Sequence, residues 1–134
     1  MDSVSRDKLK EKSFKRLFNS FKYALEGIIY AFKYEQNIIV HTLVMILVII
    51  LGIVVKLNIY EWLICLILFG LVIATEMINT SIEATVDLAC KKKDPLAKIA
   101  KDTASGAVLI FAITSAIVGL IIFIPKIIEL IKTL

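Results

Sequence analysis

The chain is poor in the residue types from which compact metal and redox centres are usually built. Its 134 residues include one histidine, two cysteines, two prolines and five glycines. With no second histidine to join it, His41 reads as a helix-packing or interfacial residue of an apolar span, not as a metal ligand or proton relay. Cys65 and Cys90 stand 25 residues apart without metal-ligand spacing, so both read as small packing hydrophobes. No Walker-type glycine loop occurs, nor does the motif set of soluble protein kinases. Internal repeats and low-complexity segments are absent too. Residues 1–35 hold no continuous apolar run, so no cleaved signal peptide is expected.

What is present is apolar surface. The chain is 59% hydrophobic with a mean hydropathy of +0.87, far more than one soluble core of this size requires. Three runs, about 36–55, 59–82 and 104–124, can each cross a hydrocarbon layer of about 30 Å, which takes roughly 20 helical residues. Ahead of them, Phe14, Leu17, Phe18, Phe21, Leu25, Ile28, Ile29 and Phe32 recur at helical spacing, opposite Lys15, Arg16 and Lys22. This pattern predicts an amphipathic helix over 14–34 lying along the membrane surface, after a charged, flexible leader at 1–13. The fold class is therefore an all-α membrane protein, one surface helix plus three transmembrane helices in a single domain, 1–134.

Lys56–Asn58 leaves only a short turn between the first two spans. No glycine or proline interrupts Leu71 to Cys90, so the second helix is expected to run on to about Cys90. Asp94 and Pro95 read as N-cap and first residue of the next helix, which Pro125 should kink or end. Of the 16 basic residues, eight lie in 1–35 and five between Lys91 and Lys101. That bias predicts a cytoplasmic N-terminus and second loop, with the C-terminus outside. Tyr60 and Trp62 then read as an outer interfacial aromatic pair, and Glu26 and Glu61 as solvent-facing at an interface. The net charge of +4 suits anionic lipid head groups, and basic residues flanking spans make nucleic acid a poor partner.

Against this background the stretch ATEMINTSIEATVD is unusual. At 100° per residue Glu76, Asn79, Glu83 and Asp87 fall within an arc of about 80°, one stripe on the second spanning helix. Lys101 and Ser105 share a face of the third, with Asp102 beside them, and Glu35 stands at the entry to the first. These groups are expected to converge at one depth. The bland reading of such a stripe is an inter-helix hydrogen-bond network or a solvated helix end. Yet a charge near the bilayer centre costs about 2.5–3.5 kcal/mol, less toward the interface, so several acids on one face need cations or water. Carboxylates from two helices facing lysine and arginine match the needs of Mg²⁺ and phosphate oxygens. Glu76, the deepest acid, suits a general base acting on a hydroxyl. The residues alone thus reach a membrane protein with a cytoplasm-facing site for a metal and an anion. A cation channel or transporter subunit and a structural adaptor are competing classes, and Lys101 argues against a cation path.

The runs EMINTSIEATVD and AKDTASGAVLI closely resemble the signature of the bacterial integral-membrane diacylglycerol kinase and undecaprenol kinase family, over roughly Phe14 to Leu120. The resemblance implies an ATP-dependent lipid kinase in the bacterial cytoplasmic membrane, a homotrimer whose sites combine neighbouring subunits. It implies that Arg16 and Tyr23 contact the nucleotide, and that Glu35 and Glu83 hold Mg²⁺ and the ATP phosphates. Glu76 matches the general base, supported by Asn79 and Asp87. Lys101 matches the lysine that neutralises the transferred phosphates, with Asp102 and Ser105 beside the lipid hydroxyl. The loop CKKKDPLAKIAKD departs from the Gram-negative diacylglycerol kinases near the adenine. Its wording is more like the Gram-positive branch, whose preferred lipid is undecaprenol; diacylglycerol is the alternative acceptor.

Overall fold

A computed structural model describes residues 3–133, with side chains over 14–133. Four helices follow one another, α1 Ser3–Tyr34, α2 Gln36–Val54, α3 Ile59–Ala89 and α4 Pro95–Thr133, with no strand among the described residues. They form two compact units, Met1–Glu35 and Gln36–Leu134. In the first, α1 is a single helix whose backbone is already helical at Ser3. Residues 1 and 2 of the expected leader, and the side chains of the rest of it, lie outside the described residues. Glu35 closes the unit, its N–H donating to Ala31 O at 2.9 Å.

The second unit holds three helices long and apolar enough to cross a membrane. Helix α2 has 19 residues, which at 1.5 Å each gives about 28 Å, close to the hydrocarbon thickness. It ends in a tight double bond pattern. Lys56 takes a left-handed conformation with φ of 54°, while Lys56 N–H donates to Ile53 O at 3.2 Å and Leu57 N–H to Gly52 O at 3.0 Å. These are the two bonds of a Schellman stop, with lysine where glycine is usual.

Asn58 then opens α3. Its Oδ1 accepts from the N–H groups of Tyr60 at 2.9 Å and Glu61 at 3.1 Å, and Glu61 Oε2 accepts from Asn58 N–H at 2.7 Å. This reciprocal cap satisfies N–H groups that no helical carbonyl can reach. Glu61 does not face solvent as expected: it also pairs with Lys126 of α4 at 3.1 Å, with both side chains mostly buried. Of the expected aromatic pair only Tyr60 is exposed. Trp62 packs on the buried cluster of Leu57, Cys65 and Phe123.

Gly52 makes that packing possible. A Cβ there would stand 2.9 Å from both Leu57 Cδ1 and Trp62 Cη2. Replacing Gly52 by valine therefore forces the indole aside. Overpacking of this kind costs about 1–3 kcal/mol, and the small helix-propensity gain over glycine, under about 1 kcal/mol, does not offset it. Thermal unfolding of the variant in detergent should show a lowered midpoint; an unchanged one would mean the turn has slack.

At its other end α3 stops at Cys90, whose N–H still reaches Val86 O at 2.8 Å, as the uninterrupted sequence predicts. Asp94 caps α4, its Oδ1 accepting from Leu96 N–H at 2.7 Å, with Pro95 in the first position, where its missing N–H leaves nothing unsatisfied. Pro125 does not end α4. It sits inside a helix that continues to Thr133, because neighbouring groups in an apolar, helix-supporting setting can re-satisfy the freed carbonyl. At 39 residues α4 is about 58 Å long, well beyond one hydrocarbon thickness, so its polar first turns extend past the apolar run. Helix α3 packs along α4 and, more lightly, on α2.

Candidate active site

Along α3 the polar stripe is graded in burial. Glu76 is 3% exposed and Asn79 8%, Glu83 is half-buried, and the Asp87 side chain is 67% exposed. Glu76 is thus the most buried acid of the stripe. Asn79 Nδ2 donates to Glu83 Oε1 at 3.2 Å, one turn along the helix. The amide oxygen of Asn79 is buried and has no protein partner. The opposite amide orientation would set that oxygen against a carboxylate, so the hydrogen bond fixes which atom is left over.

Across the α3–α4 connection Lys101 Nζ donates to Asp87 Oδ1 at 2.7 Å. This bond, more than the desolvation that opposes it, raises the Lys101 pKa above the ordinary lysine value, and the charges of Asp87 and Glu83 act in the same direction. Lys101 is therefore a fixed cation. Asp87, Lys101 and Asp102 line a cavity of about 700 Å³ together with Lys91, Lys92, Lys93, Asp94 and Lys98. Five lysines against three aspartates give it a net attraction for anions. A second cavity of about 530 Å³, almost wholly apolar, lies between α2, α3 and α4 and is lined by His41, Met45, Val72 and Ser115 among others.

His41 supplies a contact that the sequence reading missed. Its Nε2 stands 3.1 Å from Glu76 Oε1, bringing α2 to the deepest acid of the stripe. The available signal was a lone histidine in a 19-residue apolar helix. Of the expected site residues the structure brings together Asn79 with Glu83, and Asp87 with Lys101 and Asp102. Ser105 is exposed and lines neither cavity. Arg16, Tyr23 and Glu35 belong to the first unit. Arg16 and Tyr23 are exposed and two turns apart on one face of α1, and Glu35 is half-buried at its end.

Among the described residues no three His, Cys, Asp or Glu side chains cluster as a metal cage. Magnesium does not need one, since it is held by one or two carboxylates with phosphate oxygens and water. Glu83 beside the unpartnered Asn79 oxygen offers the hard oxygen donors that suit this ion.

Three helices of membrane length, with a buried acid on the second and a lysine-lined cavity where it meets the third, are the features of a multi-pass membrane protein with a charged site at one end. The chain belongs to the prokaryotic diacylglycerol kinase family, whose model matches residues 22–123. It is 47% identical over 111 residues to the undecaprenol kinase of Bacillus subtilis, covering 83% of this chain and 90% of that one. It is 37% identical over 115 residues to the diacylglycerol kinase of Synechocystis, covering 85% and 66%. A diacylglycerol kinase of Helicobacter pylori is 36% identical over 101 residues, covering 75% and 79%. The protein is a multi-pass membrane lipid kinase with ATP as phosphoryl donor.

Proposed function

We propose that the protein transfers the γ-phosphoryl group of ATP to the hydroxyl of undecaprenol, forming undecaprenyl phosphate. The observation that carries this is the 47% identity to an undecaprenol kinase over nearly all of that relative; the 3% exposed carboxylate of Glu76, on a membrane-length helix, supports it. Glu76 takes the hydroxyl proton as the alcohol oxygen bonds to the γ-phosphorus; the bond to the β–γ bridging oxygen breaks and ADP leaves. Asn79 and Asp87 hold this end of α3 in order through their bonds to Glu83 and Lys101. Lys101 and Arg16 offset charge on the phosphates, and Asp102 and Ser105 border the lipid hydroxyl. Tyr23 contacts the nucleotide. Glu35 and Glu83 would hold Mg²⁺, which when bound screens the phosphate charge.

In this reading residues 1–134 form one domain, with 14–34 an amphipathic surface helix and the N-terminus on the cytoplasmic side of the bacterial inner membrane. The distribution of basic residues supports that orientation. The chain assembles as a homotrimer with sites shared between subunits, which is how a surface-helix residue of one copy can serve a stripe of another.

Relatives at 36% and 37% identity carry the name diacylglycerol kinase, which keeps diacylglycerol as the second acceptor. Purified protein with ATP and Mg²⁺ should phosphorylate undecaprenol faster than diacylglycerol in parallel mixed-micelle assays. The reverse order would reassign the lipid, and no transfer to either would remove the kinase reading.

A further inference from the structure

The imidazole of His41 reaches a carboxylate that is nearly sealed from water, and the reaction as outlined makes no use of it. The distance, 3.1 Å from Nε2 to Oε1, is that of a direct polar contact. The Glu76 side chain is 3% exposed and that of His41 26%. A carboxylate so buried needs an N–H partner, and a second-helix partner fixes its plane as well as its charge. An apolar residue would serve for packing at this position of α2, as Ile38 does one turn earlier, fully buried. Instead the chain uses its one histidine, which also lines the apolar cavity.

We propose that His41 is a positioning residue for the reaction: it holds the Glu76 carboxylate in the orientation from which the lipid hydroxyl is deprotonated. The proposal rests on Glu76 being the base. A general base is effective only within hydrogen-bond reach and alignment of the proton it abstracts, and a third group commonly orients it. The Glu76 side chain has three rotatable bonds, and the contact from α2 restricts the geometries that its carboxylate samples. His41 need not touch the alcohol to do this. Its N–H holds one oxygen edge of the carboxylate, and the ring body closes the adjoining cavity wall against water.

The test is steady-state kinetics of purified His41→Leu, His41→Gln and Glu76→Gln with ATP, Mg²⁺ and undecaprenol, varying each substrate. Misplacing a reacting group by about 1 Å lowers rate by about 100-fold. His41→Leu should therefore lose about 10- to 100-fold in kcat with KM for ATP unchanged. His41→Gln, whose amide nitrogen falls close to the place of Nε2, should recover most of the loss. A purely structural role would not be rescued in kcat by an amide donor. If both His41 variants match wild type while Glu76→Gln is inactive, the positioning role is wrong and the base assignment stands. If leucine and glutamine are equally impaired, with lowered unfolding midpoints, His41 is a packing residue and the proposal fails. If Glu76→Gln keeps wild-type turnover, the base reading itself falls, and His41 with it.

Discussion

Glu76→Gln is expected to lower kcat by about 10²- to 10⁴-fold, the range a positioned general base contributes. Glutamine keeps the volume of a side chain that is 3% exposed, and its amide oxygen can still accept from His41. The helices should therefore stay packed. Titrating the variant with a fluorescent ATP analogue should give wild-type affinity, because the nucleotide is assigned to groups at the exposed end of the stripe. Retention of more than about a tenth of wild-type turnover would show that the hydroxyl proton leaves by another route.

The second large effect is expected at Lys101. Removing one cationic or hydrogen-bonding group aimed at developing charge lowers turnover by about 10²- to 10³-fold, so Lys101→Met should fall in that range. Folding should hardly change, because Asp87 is left in water with two-thirds of its side chain exposed. The charge-swapped double variant, Asp87→Lys with Lys101→Asp, separates structure from chemistry. It restores an ion pair between α3 and α4 yet moves the cation to the other helix, so activity should stay low. Recovery of turnover by the swap would mean that the pair serves only to join the helices. The raised pKa of Lys101 fixes the pH sense. On the lysine side, the pair's contribution to stability is complete below the ordinary lysine value and is lost as pH rises through the raised one.

Local chemistry was legible in the sequence where one helix, or one helix end, decided the outcome. The Asp94–Pro95 start, the short turn at 56–58 and the run of α3 to Ala89 all follow from capping, proline and the absence of breakers. The phase of the stripe followed too, because a helix fixes the relative angles of its own side chains. Contacts between helices did not. His41 meets Glu76, and Glu61 meets Lys126, across separations of 35 and 65 residues. Helix α2 is apolar nearly all round, so its period does not say which face turns toward α3. The inward packing of Trp62 was not legible for a related reason: it depends on the open backbone of Gly52 on a different helix. Of the two outcomes expected at Pro125, an end to the helix does not occur, because an apolar setting lets neighbouring groups take up the carbonyl that proline frees.

The buried cluster of Leu57, Cys65 and Phe123 lies at the α2–α3 turn, and so do the double helix stop, the reciprocal cap and the Glu61–Lys126 pair. At the far end, the connection from α3 to α4 carries exposed charges around a cavity, with the Asp87–Lys101 bond as the tie between the two helices. The unit is therefore anchored unequally along its length, by apolar packing at the α2–α3 turn and by polar contacts in water at the α3–α4 connection. Resistance to local opening is greatest where buried apolar contacts are dense, so the charged end can rearrange without disturbing the packed one.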